Sequence, residues 1–467
     1  MTLSETQVEL TNWSKSGRSN CFVYKVSDSA GIIHALAAAR AQRLSVIPHG
    51  AGHSYTDAAL NTDGIVIDLT PMRLILAWDA ASGIMRVEPG VTLRDMVQMA
   101  WKDGWWPVVS PSTPEVTLGG CTAMNVNGRN AWKCGPLGES ILSLDVILAS
   151  GELRTLTPQR DGELFHAFVG SMGLLGIITS ITLQLQRISS GYVTLRKRSA
   201  ASLDEIFSLF CEEETKSDFM EAWLDGFSRG AQLGRGILTC AALSDSGSTT
   251  TAPFPTPGRL GELDIPLVSL VARLGRPALQ PGIHMANCAN YRWGRWRPIT
   301  REQRRSLVAY TFWPSAAFAG YHGMFPQGVE TFQAFIPAPQ AREIFKQVLE
   351  YSQQQGCMPL WCVIKQHRRD PFLLSYQVDG FSLELNYQRT NQTAQTLKPM
   401  LQHMIATVIE AGGRFYLAKD HFLTHAQYRQ SMGDETVDSF LALKQRCDPE
   451  ALLQSDLYRR VFQPVRS

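Results

Sequence analysis

The segment His49-Gly50-Ala51-Gly52-His53-Ser54 sets small residues between two imidazoles, directly after the run Leu44-Ser45-Val46-Ile47-Pro48. A strand that ends in such a loop can aim several backbone N–H groups at an anion, which is what a phosphate site needs. Taken by itself, the segment is equally a plain turn. It lacks the Gly-Lys-Ser/Thr ending of a triphosphate loop, and Gly170-Ser171-Met172-Gly173-Leu174-Leu175-Gly176 has the wrong spacing for a dinucleotide fingerprint. Nine cysteines from Cys21 to Cys447, without C-x-x-C spacing, read as reduced thiols rather than a disulfide framework or zinc site, so no metal is expected. In Tyr291-Arg292-Trp293-Gly294-Arg295-Trp296-Arg297, followed by Arg301, Arg304 and Arg305, arginines alternate with tryptophans. That chemistry suits a phosphate group or peripheral contact with an anionic membrane through 291–305, and equally a loop whose tryptophans pack while its arginines stay wet.

The elements that must position these residues belong to a chain of 467 residues, too long for one ordinary core, so two or three packed lobes are expected. With 44% hydrophobic and 18% charged residues, and no apolar run near the roughly 20 needed to span a bilayer, an integral membrane protein is excluded. The polar start, Met1 to Ser16, has no signal-peptide pattern, so the expected location is cytoplasmic, with membrane association left open. A net charge of +2 provides no global field for nucleic acid, and no nucleic-acid partner is expected.

Helical spacing from Ala30 to Arg40, then the Leu44–Pro48 strand, makes a helix, strand, loop unit. Further strands are expected at 65–69 and 84–87, a helix from about Thr92 to Lys102 capped by Thr92, and a hairpin of 144–148 with 153–156. Ile177, Thr179, Ile181, Leu183 and Leu185 alternate with more polar neighbours, as on a half-buried strand. An α+β lobe therefore ends near residue 188. Ser244 to Thr300, rich in Pro, Gly, Ser and Thr, reads as a long loop or lid. The tail is expected to hold a short strand at 414–417 and a helix ending near Cys447, before the Asp448-Pro449 break.

A second glycine segment, Pro111-Ser112-Thr113-Pro114-Glu115-Val116-Thr117-Leu118-Gly119-Gly120 through Asn127-Gly128-Arg129-Asn130, changes the weight of the first. The pair, with Gly173-Leu174-Leu175-Gly176-Ile177-Ile178 closing the lobe, resembles the FAD-binding domain of the vanillyl-alcohol oxidase or p-cresol methylhydroxylase type. Within that family the likeness is greatest to the decaprenylphosphoryl-ribose oxidases, through Gly52-His53-Ser54-Tyr55-Thr56-Asp57, Ala222-Trp223-Leu224-Asp225, Leu233-Gly234-Arg235-Gly236, Tyr416-Leu417-Ala418-Lys419-Asp420 and Ser455-Asp456-Leu457-Tyr458-Arg459-Arg460.

The resemblance implies an α+β fold: a two-lobed FAD-binding domain over 1–190, an α+β substrate-binding cap over 191–410 with a lid-like loop at 244–300, and a segment 411–467 returning to the FAD domain and active site. It implies FAD held by Gly50, Ala51, Gly52, His53, Ser54, Thr113, Val116, Gly119, Gly120, Ala123, Asn127, Ile178 and Tyr416. It places Gln333, Lys365 and Asn386 toward substrate, with Lys419, Glu384 and Tyr55 managing the proton and alkoxide. The implied reaction takes a secondary hydroxyl of a sugar or sugar-like compound, phosphorylated or not, to a ketone by hydride transfer to flavin N5. A reductase or epimerase partner is compatible with it.

Three positions depart from the ribose oxidases. Asn127 stands for a histidine, Glu384 for a cysteine and Asn386 for an aspartate. Glu384 would serve as a general base if burial raised its pKa, or would bind a hydroxyl or amine. Gly-Ala-Gly-His-Ser is similar to the loop of gulonolactone-type and alditol oxidases, whose histidine bonds covalently to flavin. His53 occupies that place, so an aldonolactone or alditol oxidase with covalent FAD is the alternative activity. A flavin-binding relative without turnover is the reading from another class.

Overall fold

The computed structural model describes residues 6–245, 279–296, 302–317, 325, 327–391 and 393–464. Helix Ser29–Gln42 begins where the Asp28 carboxylate accepts from Gly31 N and ends at Arg43, whose left-handed φ of 56° turns the chain. Its buried Ile32, Ala35, Leu36 and Ala39 fall at helical spacing and pack on Val46, Ile65 and Ile67. The sheet beneath runs in the order Val8–Thr11, Arg18–Lys25, Ile65–Asp68, Val46–His49. Its last three strands are parallel, and the helix forms the crossover that parallel pairing requires. The strand's exit at His49 delivers the first glycine loop to the edge of this sheet.

A five-stranded antiparallel sheet follows, ordered Ile75–Asp79, Ile84–Val87, Ile177–Gln184, Ile141–Ile147, Leu153–Leu156. Helix Leu93–Ala100 starts at Thr92 in a capping box with Asp95. The expectation of a half-buried strand near 177–185 needs correction: Ile177 through Ile181 are all buried. Ile177 belongs to the core under helix Ser29–Gln42, whereas Ile178 and Ile181 belong to the main core, so this strand is covered on both faces.

An eight-stranded antiparallel sheet is ordered Gln303–Ser306, Tyr192–Ala200, Gly236–Leu243, Phe219–Leu224, Trp361–His367, Gly380–Gln388, Val329–Pro337, Arg414–Phe415. Period-two alternation sorts its side chains. Ala334, Leu383, Ile364, Ala222 and Leu238 share one face and the main core, and helices Leu203–Glu213, Ala338–Gln354 and Ala394–Glu410 pack against the sheet. Thr331, Gln333, Ser382, Glu384, Asn386 and Lys365 share the other face.

Part of the expected loop at 244–300 is helical: Leu279–Trp296 is an 18-residue helix, and 246–278 and 297–300 lie outside the described residues. Arg292 and Arg295 sit on this helix, while Arg304 belongs to strand Gln303–Ser306 and stacks 4.0 Å over the Tyr192 ring. Arg297 and Arg301 lie outside the described residues. The expected strand at 414–417 is shorter, Arg414–Phe415, because the chain then turns, with Tyr416 O accepting from Lys419 N and Asp420 N. Helix Asp434–Cys447 ends as expected before Asp448-Pro449. The tail then returns to the first sheet: Val46 N donates to Leu452 O at 2.8 Å, and Gln454 N donates to Val46 O at 2.9 Å. All nine cysteines are free thiols.

Candidate active site

The two glycine segments meet at Gly50. A Cβ there would stand 2.2 Å from Thr117 Oγ1 and within 3.9 Å of Gly120 N, so only glycine admits this approach. Gly52 has φ +70°, the left-handed conformation that turns the first loop. Thr117 is the N-cap of helix Leu118–Ala123; Leu118 N and Gly119 N donate to Val91 O and Pro89 O, and Gly120 N lies beside Gly50. Gly119 packs where a Cβ would meet Pro89 at 2.6 Å. Two backbone loops held this closely, with Thr122 Oγ1 buried and unpartnered beside them, form a cradle fit for a pyrophosphate.

His53 lies against Trp13, ring centroids 4.3 Å apart. Burial lowers its pKa to about 4, so the imidazole is neutral at physiological pH. Ala51, Ser54, Thr113, Val116, Gly120 and Ala123 line these loops half-buried, and Ile178 and Tyr416 are buried. Trp13 N donates to Ser54 O at 2.9 Å, and Met172 N donates to Ala123 O at 2.9 Å. Asn127 Nδ2 donates to the Tyr376 hydroxyl at 3.0 Å, and that hydroxyl donates to Asn125 O at 2.7 Å. The Tyr376 ring lies 4.2 Å from that of Tyr416, so Asn127 and Tyr416 are tied to the same residue.

The polar face of the eight-stranded sheet meets the tail at Lys419. Its Nζ donates to Glu384 Oε1 at 2.7 Å and stands 4.5 Å from the centre of the Tyr55 ring. Tyr55 follows the first glycine loop directly, and its N–H donates to Ala418 O at 2.9 Å. The carrier of Lys419 is anchored by Arg460, which donates to both oxygens of Asp57 at 2.9 and 2.7 Å and to Leu423 O at 2.6 Å. Asp420 accepts from Phe422 N and Leu423 N instead of facing solvent beside Lys419.

Gln333 and Glu384 are cross-strand partners, as are Thr331 and Asn386, and Lys365 and Ser382. Asn386 is 0% exposed; its Nδ2 donates to Glu384 Oε1 at 3.2 Å and its Oδ1 accepts from Thr331 Oγ1 at 2.7 Å. Lys365 Nζ lies 3.5 Å from Glu221, which also pairs with Arg129 at 3.2 Å. Gln333 is 2% exposed, and its Oε1 is buried without a partner. A buried acceptor of this kind calls for a donor from a ligand or water.

The charges correct one expectation. Burial works to raise the Glu384 pKa, but the Lys419 and Lys365 ammonium groups outweigh it and hold the carboxyl below its usual range. Lys419 is shifted upward: burial opposes its charge, and Glu384 more than offsets this. The pair is ionised at neutral pH, so Lys419 is a cation and not a base. Burial raises the Tyr55 phenol, which is therefore neutral. Thr331, Glu221 and Tyr376 were not singled out from sequence. Only the strand parity of Thr331 with Gln333, and of Glu221 with Trp223, could have drawn attention to the first two.

Residues 22–157 match the family described as FAD binding domain. The chain is 27% identical to a decaprenylphosphoryl-β-D-ribose oxidase of Mycolicibacterium smegmatis over 98% of each chain. It is 25% identical to an L-gulono-1,4-lactone dehydrogenase of Mycobacterium tuberculosis over 92% of each. Identity to a D-lactate dehydrogenase of Anaerostipes hadrus is 32%, over 31% of each chain. Residues 22–157 thus form an FAD-binding domain, and FAD is the cofactor.

Proposed function

Taking as premise that this chain is an FAD-dependent oxidoreductase acting on CH–OH donors, we propose that it oxidises a secondary hydroxyl of a sugar or sugar-like compound to a ketone. When bound, FAD supplies at N5 the acceptor for the hydride that leaves the carbinol carbon. The remaining work falls to the chain. The hydroxyl oxygen gains negative charge as its proton leaves, and a fixed cation beside it stabilises that charge. Lys419 is such a cation, held between Glu384 and the Tyr55 ring. Gln333 and Lys365 present an acceptor and a donor on the same sheet face and would orient further hydroxyls or an anionic group of the substrate.

The observation that carries this reading is the Lys419–Glu384 contact at the meeting of the glycine loop, the tail and the polar sheet face. Two opposite charges drawn largely out of water together are costly, and such a pair beside a cofactor loop marks a candidate functional site. The same charges argue against a relative without turnover. Anaerobic bleaching of the purified yellow protein with a panel of polyols, sugars, aldonolactones and 2-hydroxy acids tests the reading. Bleaching by sugars supports it, bleaching by alditols or aldonolactones in preference to sugars favours an aldonolactone or alditol oxidase, and bleaching by 2-hydroxy acids alone would overturn it.

The second reading, an aldonolactone or alditol oxidase with FAD bonded through His53, is favoured by the neutral, half-buried imidazole at the exit of the first loop. Acid precipitation separates the two modes of attachment: a yellow pellet that turns colourless in His53→Ala supports the bond, and a yellow supernatant from the wild type excludes it. Peripheral membrane contact is a proposal for the outer side of helix Leu279–Trp296, where Trp293 is 59% and Trp296 91% exposed beside Arg292 and Arg295. Co-flotation with anionic but not neutral vesicles supports it, and failure to float excludes it.

A further inference from the structure

Both hydrogen bonds that Glu384 receives from side chains fall on one oxygen. Oε1 accepts from Lys419 Nζ at 2.7 Å and from Asn386 Nδ2 at 3.2 Å. An amide can present either its oxygen or its nitrogen, and the Glu384 carboxylate, which only accepts, selects the nitrogen. The Thr331 hydroxyl donates to Asn386 Oδ1 at 2.7 Å and braces the amide in that orientation. Thr331 is 3% exposed and Asn386 0%, and the polar atoms of the Asn386 side chain are committed to Thr331 and Glu384. Their strands are neighbours in register, Thr331 opposite Asn386 and Gln333 opposite Glu384, so the relay sits on a rigid ladder rather than a loop.

We propose that Thr331 and Asn386 are positioning residues that fix Glu384 with Oε1 committed to Lys419 and Oε2 left to accept the proton of the substrate hydroxyl. This rests on the reading of the site as one that oxidises a secondary alcohol. The balance is simple. The carbinol C–H bond breaks and its electron pair leaves with the hydride, the O–H bond breaks and its proton passes to the Glu384 carboxylate, and the C=O π bond forms. Lys419 holds the oxygen while its charge develops.

Without the Thr331 brace the amide loses the partner that holds its Nδ2 within reach of the carboxylate, and the hydrogen bond to Glu384 weakens. The charged and titratable groups around Glu384 are Lys419 from the tail, Lys365 from the neighbouring strand, Glu221 with its partner Arg129 beyond it, and Tyr55 from the glycine loop. Of these, Lys419 and Lys365 favour the ionised carboxyl, and Asn386 adds a hydrogen bond to it. Loss of the relay therefore moves the Glu384 titration upward, toward neutral pH.

The test is a pH titration of the visible flavin band of the resting holoenzyme, which needs no substrate, on the wild type, Glu384→Gln, Thr331→Val, Thr331→Ser and Asn386→Asp. The proposal expects an acid-range step that disappears in E384Q, rises by roughly half a pH unit or more in T331V and stays at the wild-type value in T331S. N386D, which sets two carboxylates side by side, should raise it further, and it keeps the test available if T331V fails to fold. The proposal is overturned if the step survives E384Q, or if T331V and N386D leave it where it was. Activity is read separately: T331V should lower kcat about 10–100-fold with KM changed much less, because a displaced carboxylate loses more in geometry than its raised pKa returns in basicity. If the titrations behave as stated but no secondary alcohol bleaches the flavin, the positioning relay stands and the reaction reading falls.

Discussion

The Lys419 ammonium stands 4.5 Å from the centre of the Tyr55 ring, so this cation rests against the residue that follows the first glycine loop. Burial keeps the phenol neutral, and the contact with the ammonium is made by the ring face, so on the proposed reading the ring carries the role. Tyr55→Phe should therefore retain flavin reduction within about threefold. Tyr55→Leu should lose roughly tenfold in kcat/KM, the size of one partly desolvated cation–π contact. Equal losses in the two variants, read by stopped-flow, would return the role to the hydroxyl.

The approach of the two glycine loops gives a second prediction. Gly50→Ala places a methyl 2.2 Å from Thr117 Oγ1, which must separate the loops and release FAD. Thr117 makes no side-chain cap hydrogen bond to its helix, so Thr117→Ala removes the obstacle at little cost. The flavin-to-protein absorbance ratio should fall in G50A and recover in G50A/T117A. An unchanged ratio in G50A would mean that this contact does not shape the cofactor site.

Glu330 provides a prediction for stability. Burial raises its pKa to about 7 despite Arg389 at 3.4 Å, with Asp420 adding to the rise. A carboxyl with a folded-state pKa above its unfolded one destabilises the protein above the folded value. That penalty fades as pH falls through 7 toward the unfolded value near 4.5. Glu330→Gln should accordingly raise Tm by a few degrees at pH 8, and the gain should vanish near pH 4.5. A gain independent of pH would point to packing instead of charge.

Much of the cofactor lobe was legible because its signals are local. Gly50 and Gly119 mark positions where a Cβ has no room, and Thr92 lies three residues before Asp95, so loop contact and helix start follow from residue type and spacing. Helix Leu279–Trp296 was misread because Pro281 and Gly282 look like breakers. Proline in a first turn forgoes an N–H that has no intrahelical acceptor, and Gly294 lies where a Cβ would meet Ile237 at 2.8 Å. Glu384 was read correctly as facing away from Leu383 and Leu385. The direction of its pKa shift was not readable, since it depends on Lys419, which arrives from the tail, and on Lys365 across the ladder.

On the proposed reading, Lys419 is the cation that holds the oxygen as the substrate's C–H bond breaks. The direct measurement is anaerobic stopped-flow bleaching of the flavin in wild type and Lys419→Ala, using the best substrate of the panel and preparations of equal flavin content. Loss of one charge-stabilising donor should slow bleaching about 100–1000-fold while the flavin stays bound. Bleaching at the wild-type rate in Lys419→Ala would contradict the account.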